Sequence, residues 1–208
     1  MLLKLGDQAP VFSLPDADME SVDMAAYKGK KYIVLFFYPK DGTPGCTMEA
    51  TDFSDHEENF HEQDCVLFGI SRDECLKHAE FRDKEGIGTE LLSDMEGVVC
   101  KQYGVWQARE VDGHRRFGIA RSTFIIDKSG VIRHALYNVN YKGHALEVLR
   151  LPEALYERLA TDPQVARASP LLELSAVAQA VDATATPNPA RTPLRVLGAD
   201  ALLLPPMA

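Results

Sequence analysis

The sequence predicts a layered α/β domain followed by a tail of different character. Three observations carry that reading: continuous apolar runs rich in β-branched and aromatic residues, helical patterns alternating with those runs, and a change of composition near Tyr156. The first run, YIVLFFY from Tyr32 to Tyr38, has the pattern of a strand buried on both faces and is expected to be central. A helix is then predicted to open at Thr43 and Pro44, because threonine favours the N-cap and proline the first helical position. CVLFGIS, Cys65 to Ser71, is a second buried run. Ser71 with Glu74 reads as a capping box that opens a helix through about Lys84, and Glu96 to Tyr103 carries another helical pattern before Gly104. Ser122 to Asp127 and Val131 to Tyr137 form a predicted hairpin around Lys128-Ser129-Gly130. The order suits a central mixed sheet flanked by helices.

Beyond about Tyr156 no aromatic residue occurs, and Ala, Thr and Pro dominate segments such as ATATPNPARTP. The expected division is therefore a domain over residues 1–156 and an Ala/Pro-rich, largely disordered extension over 157–208. Within it, Leu171 to Val181 has room for an amphipathic turn or two, and LLLPP is a candidate docking segment.

In 208 residues the formal net charge is −9, which argues against a nucleic-acid footprint. The N-terminal MLLKLGDQAP has neither a secretory apolar core nor a membrane span, so a cytoplasmic protein is expected. Four cysteines stand at 46, 65, 75 and 100 without a CxxC pair, which suits a reducing compartment.

Cys46 falls in the first turn of the helix opened by Thr43 and Pro44. Unpaired backbone N–H groups and the positive end of the helix dipole favour an anion there, hence a thiolate nucleophile. Pro39, Gly42, Thr43 and Gly45 would make a small polar cradle around it. The plainer alternative is a small residue at a crowded turn. Arg121, just before the strand STFIID, should lie at a sheet end, within reach of a neighbouring helix start, where it would favour thiolate and hold an oxygen ligand.

Taken together, YPKDGTPGCTMEATDF, GISRD at 69–73, LLSDMEGVVCKQYGVW at 91–106 and ARSTFIIDKSG at 120–130 resemble the peroxiredoxins, specifically the Q-type branch of bacterioferritin comigratory proteins. The resemblance spans residues 1 to about 155, and its most specific element is PxxxTxxC, here Pro39, Thr43 and Cys46. It implies a thioredoxin-like fold and a peroxidatic Cys46 whose thiolate attacks a hydroperoxide to give a sulfenic acid. By the same resemblance Thr43 and Arg121 position the peroxide oxygens, Pro39 shields the sulfenic acid, and Glu49 hydrogen-bonds within the pocket. No cofactor or metal is implied.

The sequence departs from that pattern where many Q-type members carry a resolving cysteine. Thr51 occupies one such position, and Arg82, after Phe81, the other. Cys65 and Cys100 read as packing cysteines. Cys75 is the remaining candidate for an intramolecular partner, which would make an atypical two-cysteine enzyme. The preferred reading is a one-cysteine cycle in which thioredoxin, glutaredoxin or a small thiol reduces Cys46, in a monomer or homodimer. Rival readings are a thioredoxin-like disulfide oxidoreductase, a metal site drawn from Cys65, Cys75, His56, His61 and His78, and an interaction module centred on the tail.

Overall fold

The computed structural model describes residues 2–111 and 114–151, together with the backbone of 172–178 and 192–198. Met1–Leu151 make one compact unit. Two short strands, β1 (Ser13–Pro15) and β2 (Ser21–Asp23), precede a single 3₁₀ turn at Met24–Tyr27 and the central strand β3 (Tyr32–Phe37). Helices α1 (Pro44–Asp55) and α2 (Glu57–Glu62) lead to β4 (Cys65–Ser71), α3 (Cys75–Glu85), β5 (Glu90–Ser93) and α4 (Val98–Gln102). A hairpin of β6 (Trp106–Val111) and β7 (His114–Ile119), the strands β8 (Ser122–Ile126) and β9 (Ile132–Tyr137), and α5 (His144–Leu149) complete the unit.

The main sheet has the order β5-β4-β3-β8-β9, with β3 parallel to β4 and antiparallel to β8. The run predicted to be central is central, and all six residues of β3 are buried. Because side chains alternate along a strand, β3 feeds two cores. Ile33, Leu35 and Phe37 join Val99, Cys100 and Tyr103 on one face, while Val34, Phe36 and Tyr38 join Cys46, Ala50 and Phe53 of α1 on the other. Phe36 and Phe53 stack at 4.4 Å between ring centroids, which roots α1 on the sheet. Across the β3–β4 ladder Phe36 faces Gly69, where an added Cβ would lie 2.6 Å from the Phe36 ring. The glycine makes room for the ring on which α1 rests.

Three local expectations are corrected. Ser71 does not cap a helix: it ends β4 and pairs in register with Ser93, and α3 starts four residues later with Glu74 at its N-cap position. Ser71 Oγ instead donates to Asp73 Oδ2 at 2.8 Å and accepts from the Asp73 N–H at 2.9 Å, a local turn that competes with the helix for the same hydroxyl. The helix expected from Glu96 is shorter, because Gly97 at φ +67° makes a sharp entry to α4. Leu172–Ala178, within the segment expected to form a helical turn, is a strand (β10) paired antiparallel with a second (β11, Thr192–Gly198). LLLPP and most of ATATPNPARTP lie outside the described residues. Among the described residues no helix is long and apolar enough to cross a membrane.

Candidate active site

Thr43 is the N-cap of α1 and Pro44 opens it, as the sequence predicts, which puts Cys46 at the third helical position. The Thr43 side chain does not cap, however. Its hydroxyl donates to the Lys40 carbonyl oxygen at 3.1 Å, closing the short loop from Pro39 to Thr43 upon itself. The first-turn N–H groups of Gly45 and Cys46 are thus left without a side-chain cap, on the side where an anion would sit. Pro39 is exposed at the start of this loop and Thr43 half-buried at its end.

Arg121 reaches Cys46 from the break between β7 and β8. Its Nη2 donates to Cys46 Sγ at 3.2 Å, and its Nη1 donates to Glu49 Oε2. The backbone carbonyl of Arg121 accepts from the Val139 N–H at 3.0 Å, which fixes the segment after β9 beside the site. That segment delivers Tyr141, whose ring lies under the Arg121 guanidinium at 5.6 Å and against Gly45, where a Cβ would come within 3.1 Å of it. Tyr141 was not legible in the sequence, since nothing in NVNYKG marks it out.

Cys46 is only 1% exposed and Glu49 fully buried. Burial pushes the Glu49 carboxyl up to about 7, against the pull of the Arg121 guanidinium. Burial also works against the charge on Arg121, but Glu49 and Cys46 offset it and hold its pKa above the usual value. Glu49 Oε1 has no hydrogen-bond partner. One cation therefore stands between a sulfur and a carboxyl group, both out of water.

The other cysteines are placed differently. Burial pushes the Cys65 thiol up to about 12 and raises that of Cys100 as well, with Asp94 adding to the effect on Cys100. Both sit in the packed core and are unsuited to nucleophilic chemistry at neutral pH. Cys75 is half-buried at the first position of α3, and all four cysteines are free thiols. Thr51 is on the α1 surface, and Arg82 pairs with Asp18 and Asp83. His78 of the candidate metal set is engaged with Asp41 at 2.8 Å, and among the described residues no group of three ligating side chains could hold a metal ion. The first turn of α1 holds Cys46 without the second cysteine that a dithiol oxidoreductase needs.

Residues 5–135 match the AhpC/TSA family. The chain belongs to that family. It is 41% identical over 158 residues to the peroxiredoxin Bcp of Bacillus subtilis, a match covering 76% of this chain and all of the relative. Against the peroxiredoxin Bcp of Escherichia coli K12 it is 39% identical over 142 residues, covering 68% of this chain and 90% of the relative. Among solved structures, a Xanthomonas campestris bacterioferritin comigratory protein, studied for its alkyl peroxide reduction activity, superposes with a TM-score of 0.66 at 32% identity, covering 69% of this chain and 91% of that one. The peroxidoxin BcpB of Mycobacterium tuberculosis gives 0.65 at 33% identity, covering 74% and 98%. The AhpC/TSA chain described here thus has the thioredoxin-like fold and the peroxiredoxin relatives that its motifs imply.

Proposed function

We propose that Cys46 is the nucleophile through which this thiol-dependent peroxidase reduces hydroperoxides. The observation that carries the reading is the Arg121 guanidinium 3.2 Å from a buried sulfur in the first turn of a helix. The Cys46 thiolate attacks one peroxide oxygen, the O–O bond breaks, and the leaving oxygen takes a proton to depart as alcohol or water. Sulfur is oxidised to sulfenic acid by two electrons. Arg121 and the N–H groups of Gly45 and Cys46 stabilise charge on the oxygens as the bond breaks. The Thr43 hydroxyl, its hydrogen given to Lys40, accepts from the hydroperoxide O–H. Pro39 limits water around the sulfenic acid.

Regeneration follows a one-cysteine cycle. An external thiol condenses with the sulfenic acid to a mixed disulfide and water, and a second thiol releases Cys46 and a disulfide. Thioredoxin, glutaredoxin or a small cytoplasmic thiol can serve. Residues 1–156 suffice for this chemistry, and the extension from 157 is accessory to it.

The test is hydroperoxide consumption with a thiol reductant, together with intact mass after one equivalent of peroxide. Wild type is expected to gain one oxygen atom on Cys46, with Cys65 and Cys100 unmodified, and Cys46→Ser is expected to be inactive. Undiminished consumption by Cys46→Ser would refute the assignment. A monomer that loses two hydrogens, and no longer does so in Cys75→Ser, would replace the one-cysteine cycle by a two-cysteine one.

A further inference from the structure

The loop between β3 and α1 is anchored through one residue. Pro39 and Lys40 are exposed, Gly42 is at φ +69°, and Asp41 makes the inward contacts. The Asp41 N–H donates to Asp73 Oδ2 at 2.9 Å. Its carboxylate accepts from the Tyr38 hydroxyl at 2.7 Å on Oδ1 and from His78 Nδ1 at 2.8 Å on Oδ2. Because an ionised carboxylate only accepts, the hydrogen of that second bond belongs to Nδ1. Asp73 is fixed in turn: besides its turn with Ser71, its carbonyl oxygen accepts from Ser93 Oγ at 2.6 Å. The loop is therefore tied to the β4–α3 junction through Asp73 and to the body of α3 through His78, one turn beyond Cys75.

His78 is fully buried and its Nε2 has no partner. An imidazole kept only to fill space would be replaced with advantage by an apolar side chain, since a buried polar atom without a partner is unfavourable. An imidazole kept for its Nδ1–H tolerates that defect. The Asp41 side chain, 8% exposed, would otherwise turn outward to water.

We propose that the Asp41–His78 hydrogen bond is a latch that holds the loop carrying Pro39 and Thr43 against α3, making Asp41 and His78 positioning residues for the reaction at Cys46. The proposal rests on Cys46 being the nucleophile. With the latch shut, Thr43 stands on the Lys40 carbonyl and faces the first turn of α1. With it open, the loop and the start of α3 loosen together, and the half-buried Cys75 becomes more accessible.

Two substitutions separate hydrogen bonding from packing. His78→Asn keeps an N–H near the Nδ1 position but leaves a void, whereas His78→Leu fills the space and removes the donor. The full chain is mixed with hydrogen peroxide in a stopped-flow instrument, and amide hydrogen exchange and Cys75 alkylation are followed separately. His78→Leu is expected to react about tenfold or more slowly, and His78→Asn within about threefold of wild type even if it melts earlier. Exchange at residues 39–43 and 75–79, and alkylation of Cys75, should rise together in His78→Leu. An unslowed His78→Leu, a His78→Asn as slow as His78→Leu, or exchange raised throughout the domain would overturn the latch. Cys46→Ser keeps the two readings apart. If it reacts like wild type, the nucleophile assignment has failed. If it is inert while His78→Leu is unimpaired, only the latch has failed.

Discussion

Replacing Glu49 by glutamine turns the buried carboxyl beside Arg121 into a pH experiment. Glu49 has its pKa at about 7 in the folded protein against 4.5 for an ordinary glutamate, because burial disfavours the charged form more than Arg121 favours it. Between those values the native state holds a proton that the unfolded chain has already lost. Stability therefore falls as pH rises from about 4.5 to about 7, and is fully retained only below the lower value. At about 1.4 kcal/mol per pH unit the loss amounts to about 3 kcal/mol. Glutamine mimics the neutral acid at every pH and lacks this component. Urea unfolding of wild type and Glu49→Gln at pH 4.5, 6 and 7.5 should show two proteins of similar stability at the lowest pH. The wild type should then lose about 3 kcal/mol relative to the variant by pH 7.5. A difference that stays flat within about 1 kcal/mol would refute the reasoning, since that is less than one unit of pKa shift. A wild type that gains on the variant would show that the attraction of Arg121 outweighs burial.

Two further outcomes are expected at the same site. Arg121→Met should lower the second-order rate with hydrogen peroxide by about 10²-fold, the usual effect of removing one donor from a site of developing negative charge, as read by stopped-flow fluorescence or competition kinetics. Gly45→Ala should displace Tyr141, because its new Cβ would lie 3.1 Å from the ring. The loss in rate should be partly restored in Gly45→Ala/Tyr141→Ala, with a coupling of about 1 kcal/mol in the double-mutant cycle.

How much of this was legible depended on whether a feature is local. Tyr32 to Phe37 announces a central strand by composition alone, because burial on both faces leaves no position for a polar residue. Thr43, Pro44 and Cys46 lie within four residues, and their helix register follows from cap chemistry. Ser71 and Glu74 satisfied the same local rule and misled, since the β4–β5 ladder claims Ser71 first and Asp73 takes its hydroxyl. Strands β1, β2 and β5 are too short for periodicity to mark, and β7 has no buried face over its exposed first four residues to pattern it. Tyr141 and the Asp41–His78 pair are contacts across 20 to 96 residues of chain, and no spacing rule encodes them.

The motif locates the sulfur, but the charge count around it sets its chemistry. Arg121 is shared between Cys46 and Glu49, so its positive charge is committed to the sulfur in proportion as Glu49 is neutral. Had Glu49 been exposed, it would be ionised at neutral pH and would draw that charge away from the Cys46 sulfur. Burying it fully, with one oxygen lacking a partner, keeps a large fraction protonated near pH 7 and leaves the guanidinium for the Cys46 sulfur, the proposed nucleophile. If Cys46 is the nucleophile as proposed, the stability given up above pH 4.5 and the reactivity of that sulfur are two consequences of one buried carboxyl group. Glu49→Gln should therefore gain stability at pH 7.5 without losing the Arg121–Cys46 contact on which the proposed reaction depends.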